Sequence, residues 1–335
     1  MESKHSPKRA TIGDVASRAG VSIKTVSRVV NGVMTVNPDL AARVRAAAAE
    51  LSYRANPAAF ALRTGASFRT IGLLIKDLSN DFYATIASAV ADVARAHGAQ
   101  LITAHAGENT ADELAVVRDL VSRRLDGLLI VPTSGDHAAL AREIDPHIPV
   151  VYLDRRPEGI NADSVVIDNA NGARDAVTTL INDGHVRIAG LFDTLNMPTM
   201  RERLAGFREA FAQAGVDHDG RLIVTNLSTP DSAFSATSSM LALESPPTAY
   251  FCGNNRSGIG ALRALWVHER IDPLVTFDDF ELSDLMPRRF SIVKYDKHSI
   301  GRLGAELLFR RISGDQHEPQ SIVLPTQIEK RGVAK

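Results

Sequence analysis

Acidic, amide and aromatic side chains follow several apolar segments in the long C-terminal part of the chain. Asp154 ends the run 150–154, and Asp278 follows the run 274–277. If these runs are parallel strands, such residues lie at the carboxyl edge of a sheet, where open α/β folds bind ligands. Carboxylates and amides bind hydroxyl groups, and aromatic rings cover the apolar face of a sugar. The pattern predicts a polyol site with the candidate residues Asp77, Phe82, Tyr83, Thr133, Asp154, Asn254 and Asp278.

Each of these residues also has a structural alternative. A polar side chain at a strand-to-helix turn commonly caps the helix that follows. Tyr83 has the alternative of packing inside the protein core. The predicted polyol site therefore depends on the set as a whole and not on any one member.

Basic side chains form a second candidate site near the N-terminus. Lys24 and Arg28 are four residues apart, so they share one face of a short helix predicted from Ile23 to Asn31. Both donate the hydrogen bonds that guanine edges or phosphates accept, and Ile23 has the shape to pack on a thymine methyl group. A three-helix scaffold with a solvated basic face is the alternative.

The charge distribution favours nucleic acid as the partner of this basic region. Residues 1–65 carry a net charge of +6 and the remainder of the chain −7, although the total is only −1. A basic module joined to a larger acidic body suggests that only the first part meets a polyanion.

Three short helices are predicted to position the basic residues. The first runs from Ile12 to Ala19, a break at Gly20 and a cap at Ser22 precede the second, and the third follows Asn37. Two short helices joined by a glycine turn are the helix-turn-helix pattern, in which the second helix enters the major groove.

The stretch 11–31 closely resembles the headpiece of LacI-type repressors. The similarity is nearly continuous from Thr11-Ile12-Gly13-Asp14-Val15-Ala16 through Lys24-Thr25-Val26-Ser27-Arg28 to Asn31. The resemblance implies operator DNA, an inverted repeat, as the partner. It implies that Ile23, Lys24 and Arg28 contact bases, and that Thr11, Ser22, Thr25 and Asn31 lie at or near phosphates.

Residues 56–66 are predicted to form a short helix that begins at Asn56-Pro57 and ends at Gly65. So short a helix is unstable alone in water. The resemblance implies a hinge helix that orders on DNA together with its twin from a second subunit, with contacts from Asn56, Ala59 and Leu62. It places Leu62 as an apolar wedge in the minor groove at a flexible central CG step. A plain linker is the alternative.

Apolar strands and amphipathic helices alternate after residue 70, which favours parallel sheets in two lobes with a cleft between them. The predicted fold class is α/β: a small all-α headpiece (1–55), a hinge (56–66) and a two-lobed, doubly wound body (67–335). The body resembles periplasmic sugar-binding proteins to about residue 331. That resemblance makes Arg203, which precedes Leu204-Ala205-Gly206-Phe207, the ligand-binding arginine.

Several classes of protein are disfavoured by the sequence. One cysteine excludes an internal disulfide framework and a multi-cysteine metal site, and no apolar run suits a signal peptide or a membrane span. The sequence contains no phosphate-binding, dinucleotide-binding or hydrolase motif. We expect a cytoplasmic homodimer that is not an enzyme, uses no cofactor or metal and does not contact a membrane.

The expected function is that of a sequence-specific DNA-binding transcriptional repressor. A small ligand bound between the two lobes is expected to control its operator affinity, with a sugar or sugar derivative as the first choice. A purine-like corepressor, an activator, and a sugar-binding or sugar-converting α/β protein are the alternatives. Three local features depart from the family pattern: Asp81, Asn255 and the short connection 269–273.

Overall fold

The computed structural model describes residues 10–30, 35–53 and 69–333, and the chain divides into two units between Phe68 and Arg69. Asn31 and the hinge 56–66, with Asn56, Ala59 and Leu62, lie outside the described residues. The domain limits given above therefore stay a prediction.

The first unit contains the three predicted helices, Ile12–Ala19, Ile23–Val30 and Pro38–Glu50. Thr11 and Asp14 form a capping box at the start of the first helix, and Gly20 ends it with a left-handed backbone at φ 61°. Val15, Val26 and Val44 meet in a small core with no exposed surface.

The second unit contains two six-stranded sheets, one in each lobe. The first lobe has the strand order β11-β5-β4-β3-β1-β2 and the second β12-β10-β9-β8-β6-β7. All neighbours are parallel except β10 and β12. The strands are β1 Thr70–Ile75, β2 Gln100–His105, β3 Gly127–Ile130, β4 Val150–Asp154, β5 Asp163–Ile167, β6 Ile188–Leu191, β7 Ile223–Val224, β8 Ala249–Cys252, β9 Leu274–Phe277, β10 Phe290–Lys294, β11 Ser321–Leu324 and β12 Gln327–Arg331.

Helices cover both sheets, so the central strands are buried on both faces and are almost entirely apolar. The α-helices are Asp81–Ala96, Thr110–Ser122, Ala138–Glu143, Asn169–Asn182, Pro198–Ala214, Pro230–Leu241, Asn255–Val267 and Lys297–Ile312, with 3₁₀ turns at Gly220–Leu222 and Ser283–Leu285. Lys297–Ile312 packs on β3, β4 and β5 and therefore belongs to the first lobe, although it follows the last parallel strand of the second.

The chain crosses between the lobes three times. The crossings follow β5, β10 and β11, at residue 168, residues 295–296 and residues 325–326. A two-lobed, doubly wound α/β body was predicted, and the structure confirms it.

Candidate functional site

A cavity of about 630 Å³ lies between the two lobes. Its volume falls in the range of small-molecule sites. Seven of the eight predicted ligand residues line it: Asp77, Phe82, Tyr83, Asp154, Arg203, Asn254 and Asp278.

Asp154 and Asp278 come from corresponding positions in the two lobes. One ends β4 and the other follows β9, and both adopt a left-handed backbone, with φ of 66° and 69°. Aspartate tolerates this conformation better than most residues. Burial raises the pKa of Asp154 to about 6, although Arg155 and Arg203 act in the opposite direction.

Arg203 is held rigidly in the cavity wall. It is 3% exposed, and its guanidinium lies 3.7 Å from the centre of the Phe277 ring. Nε donates to Asn169 Oδ1 at 2.8 Å, while Nη1 donates to the Gly253 carbonyl at 2.7 Å and to Asp278 Oδ2 at 3.3 Å. These bonds fix the direction in which the guanidinium faces a ligand.

A glycine brings Arg203 close to Asn169. The helices Pro198–Ala214 and Asn169–Asn182 pack tightly at Gly206, where a Cβ would lie only 2.0 Å from the Ala170 carbonyl oxygen. The close approach at Gly206 therefore allows Arg203, one helical turn earlier, to reach Asn169 on the neighbouring helix.

Tyr295 is a site residue that the sequence analysis missed. Its hydroxyl donates to Asp278 Oδ1 at 2.5 Å, so Asp278 accepts hydrogen bonds from both Tyr295 and Arg203. Burial, together with Asp278 and Asp154, raises the pKa of Tyr295 well above its ordinary value, so the hydroxyl stays protonated. Tyr295 directly follows β10, and the strand-end argument used for the other residues applies to it as well.

Asn254 caps a helix as well as lining the cavity. Its Oδ1 accepts from the Ser257 backbone at 2.9 Å, at the start of Asn255–Val267, and its Nδ2 faces Asp193 Oδ2 at 3.4 Å. The capping role left open by the sequence is therefore present, and the amide nitrogen is the part directed toward other polar groups of the cavity.

Phe82 and Tyr83 form part of both the cavity wall and the hydrophobic core. They begin the helix Asp81–Ala96, are 8% and 7% exposed, and their ring centres are 4.9 Å apart in an edge-on arrangement. Phe82 also packs edge-on against Tyr295. The cavity thus has an apolar aromatic corner beside its carboxylates.

Thr133 is the one predicted ligand residue that does not line the cavity. Its hydroxyl donates to Glu113 Oε2 at 2.6 Å and its backbone N–H to Glu113 Oε1 at 2.7 Å, because the buried Glu113 occupies the space beneath it. Lys76 pairs with the Glu113 carboxylate at 2.9 Å, and Lys76 lines the cavity whereas Thr133 does not. Burial lowers the pKa of Lys76 from its ordinary value, despite the opposing effect of Glu113.

Ion pairs join the two lobes across the cavity. Asp77 in the first lobe pairs with Arg256 in the second. Burial acts against ionisation of Asp77, but hydrogen bonds from Ser79 and the charge of Arg256 lower its pKa. Glu158 and Arg201 form a further pair between the lobes at 2.8 Å.

Arg155 is a second cavity-lining residue that the sequence did not indicate. It is 4% exposed, makes a bidentate pair with Glu108 at 2.8 Å for each contact, and also donates to the Pro132 carbonyl at 3.0 Å. Glu108 is 47 residues away in the chain, so no local pattern links the two.

Of the predicted nucleic-acid residues, those that the structure describes lie at the start of the first helix of the first unit, in the turn after it and on the second helix. Ile23 is 53% exposed, and Lys24 and Arg28 are exposed on the same helix. Ser22 Oγ accepts from the Thr25 backbone at 3.1 Å, and Arg28 reaches Thr35 Oγ1 at 2.7 Å. The exposed face of the second helix therefore presents one apolar and two basic side chains together.

Thr11 has a structural partner on its own helix. Its Oγ1 donates to Asp14 Oδ2 at 2.7 Å as part of the capping box. A hydroxyl at a helix N-terminus lies beside exposed backbone N–H groups, which favour anions.

In the described ranges, no group of three or more His, Cys, Asp or Glu residues is arranged to hold a metal ion. Of the helices that the structure describes, none is both long and apolar enough to cross a membrane.

Two family models match the chain. Residues 11–56 match the bacterial regulatory proteins of the lacI family, and residues 69–285 match the periplasmic binding proteins and sugar-binding domain of the LacI family. The second match alone covers more than half of the chain.

Similar proteins match the chain over nearly its whole length. The HTH-type transcriptional repressor PurR of Vibrio campbellii is 30% identical over 97% of this chain and 99% of its own. The catabolite control protein A of Priestia megaterium is 29% identical over the same shares.

Solved structures also match the chain over nearly its whole length. The Lac repressor bound to ONPG in the repressed state has a TM-score of 0.82 at 28% identity, covering 97% of this chain and 99% of that one. The transcriptional regulator CelR in complex with cellobiose has a TM-score of 0.70 at 31% identity, covering 96% and 98%. The chain therefore belongs to the LacI family of bacterial regulatory proteins, and it is a DNA-binding transcriptional repressor with a ligand-binding domain and not an enzyme.

Proposed function

We propose that a carbohydrate effector binds between the lobes and controls the affinity of this repressor for its operator. The arrangement of Asp278, Arg203 and Tyr295 carries the proposal, since it holds a carboxylate, a guanidinium and a phenol in fixed positions on one cavity wall. Such groups bind neighbouring hydroxyls in pairs.

The charges that line the cavity agree with a neutral, hydroxylated ligand. The basic residues are nearly all matched by acidic partners: Lys76 by Glu113, Arg155 by Glu108 and Arg256 by Asp77. A highly anionic ligand would need unmatched cations. Phe82 and Tyr83 supply the apolar face that a sugar ring packs against. The cellobiose complex of the CelR relative supports the same class of ligand.

On the DNA side, we propose that the second helix reads the major groove. Ile23, Lys24 and Arg28 would contact bases, and Thr11, Ser22, Thr25 and Asn31 would lie at phosphates. The hinge residues Asn56, Ala59 and Leu62 would contact the minor groove at a central CG step. The protein would act in the cytoplasm as a homodimer on an inverted repeat, as the dimeric Lac repressor on its operator suggests.

Ligand would act by changing the relative stability of two arrangements of the lobes. A ligand that binds both arrangements equally shifts nothing, so control requires contacts that exist in only one of them. The cavity walls come from both lobes, and Asp77 and Arg256 already meet across it. Closure would be passed to the hinge segments and so to the DNA.

A purine-like corepressor is the second candidate. The edge-on cluster of Phe82, Tyr83 and Tyr295 favours it, because aromatic rings also stack on bases. Guanine and hypoxanthine are therefore included beside sugars in the test.

The test begins with selection of fragments of the source genome on the purified protein, followed by sequencing of those retained. Enrichment of one inverted repeat is expected. Binding of the protein to that repeat is then titrated with sugars and with the two purines by fluorescence anisotropy. A response to a sugar supports the proposal, and a response to a purine alone replaces it with the second candidate. A repeat that binds regardless of every ligand contradicts ligand control.

A further inference from the structure

A second polar chamber adjoins the cavity between the lobes. It has a volume of about 430 Å³ and shares Glu108, Thr194 and Met197 with the main cavity. Its remaining walls include Thr110, Ser134, Glu158, Asn196 and Arg201. Since the two spaces share these three residues, they lie next to each other.

The lining of this second chamber suits hydroxyl groups. Thr110 and Ser134 supply hydroxyls, and Asn196 supplies an amide. The acidic Glu108 and Glu158 outnumber the one cation, Arg201, which disfavours a phosphate or a carboxylate. None of the described residues that line the chamber is aromatic, so it lacks a surface on which a base would stack.

The chamber is already rigid on both sides. On the first lobe, the Glu158 backbone N–H donates to His137 Nδ1 at 2.9 Å, and its carbonyl accepts from the His137 backbone at 3.0 Å. On the second lobe, Arg201 Nη1 donates to the carbonyls of Leu195 at 3.2 Å and Asn196 at 2.7 Å. The Glu158–Arg201 ion pair then joins the two sides. A site whose polar groups are fixed before binding loses little entropy when a ligand enters it.

We propose that the second chamber is a subsite for a further sugar ring, and that the effector is an oligosaccharide of at least two rings. One ring occupies the main cavity beside Asp154, Arg203 and Asp278. The next ring lies among Ser134, Asn196 and the Glu158–Arg201 pair. This inference rests on the carbohydrate effector proposed above and names its size.

The experiment is calorimetric titration of the full-length protein with monosaccharides and the disaccharides built from them: glucose with cellobiose and maltose, galactose with lactose and melibiose, and xylose with xylobiose. We expect one disaccharide to bind on the order of tenfold or more tightly than its own monosaccharide. A monosaccharide that binds as tightly as every disaccharide containing it would overturn the subsite.

Two variants locate the additional affinity. Ser134→Tyr fills the second chamber, and we expect it to reduce disaccharide affinity to that of the monosaccharide while leaving monosaccharide affinity unchanged. Asn196→Ala, at an exposed position, is expected to reduce the same difference in part. Ser245→Tyr is the matched control, since Ser245 is exposed and lies in neither cavity. Retention of the full difference by Ser134→Tyr overturns the assignment. Failure of every sugar to bind, of either length, contradicts the carbohydrate effector itself and is a separate outcome.

Discussion

At the scale of single residues, the Asp278 carboxylate accepts hydrogen bonds from side chains of two different elements. Arg203 comes from the helix Pro198–Ala214 and Tyr295 from the segment after β10. The Asp278 side chain is 12% exposed, and a carboxylate so largely shielded from water needs such partners, because an ion that loses its hydrogen bonds there is destabilised. The arrangement proposed to bind ligand is therefore also one that stabilises the fold.

Tyr295→Phe is expected to lower the free energy of unfolding by about 1.5–3 kcal/mol, because it removes a hydrogen bond to a charged group. Effector affinity should fall with it. Denaturant unfolding and calorimetry measure the two effects. Tyr250→Phe is the matched control: Tyr250 is equally buried, and among the described residues its hydroxyl has no hydrogen-bond partner. Equal destabilisation by the two substitutions would contradict the role of the Tyr295 hydroxyl.

Asp154 gives stability a dependence on pH. Burial raises its pKa in the folded protein to about 6, against 3.8 for an ordinary aspartate. The unfolded chain releases this proton near pH 4, so the contribution is fully present below that pH. It declines between about pH 4 and 6 and is lost above, a change on the order of 3 kcal/mol.

Asp154→Asn keeps the shape of the neutral acid and should remove this dependence. We expect the variant to be more stable than the wild type at pH 7 and similar to it near pH 4. Urea unfolding at both pH values measures the difference. An unchanged difference between the two pH values in the variant would show that another group is responsible.

At the scale of elements, apolar runs predicted the central strands because those strands are buried on both faces. β5, with Val165, Val166 and Ile167, is also apolar and buried, whereas β11 at the edge of the sheet lacks such a run. β11 alternates exposed and half-buried residues, and it pairs with β5, whose Ser164 bonds Ser321 across 157 residues of sequence. Apolar periodicity does not indicate the helix Pro230–Leu241, because serine and threonine fill much of it and these residues favour caps over helix interiors.

Position relative to an apolar strand also explains which cavity residues the sequence indicates and which it does not. Asp154 ends an apolar strand, Asp278 directly follows one and Asp77 lies two residues beyond another, so position alone indicates them. The pairing of Arg155 with Glu108 joins residues distant in sequence and becomes visible only in the fold. Thr133 follows a strand as well, but its hydroxyl faces the buried Glu113. A strand end predicts the sheet edge where a residue lies and does not predict the direction of its side chain.

A further prediction concerns DNA binding by the second helix of the first unit. Arg28→Ala is expected to lower affinity for the selected operator by about 1–3 kcal/mol and to reduce its preference over scrambled DNA. Arg18→Ala is the control, since Arg18 lies on the preceding helix and pairs with Glu50 at 2.7 Å. Fluorescence anisotropy with both DNAs measures the effect. Unchanged discrimination between operator and scrambled DNA would contradict base contact by Arg28.

At the scale of the whole ligand-binding unit, three crossings of the chain and a few ion pairs connect the lobes. The Glu158 and Arg201 side chains are 45% and 49% exposed. Ion pairs this exposed to solvent each contribute little to stability. These ion pairs therefore add little to the stability of any one arrangement of the lobes.

Asp278→Asn tests whether the cavity and the DNA-binding unit are coupled. Asparagine tolerates the left-handed backbone at this position but removes the charge that Arg203 and Tyr295 contact. Coupling between sites typically amounts to ~1–3 kcal/mol, or roughly 5- to 150-fold in affinity. We expect the variant to lose that change in operator affinity on addition of effector, while binding operator normally without it. Asp231→Asn, at an exposed residue paired with Arg263, should behave as wild type in both respects. Equal loss of operator binding in the absence of effector would show that Asp278 maintains the fold and does not transmit the signal.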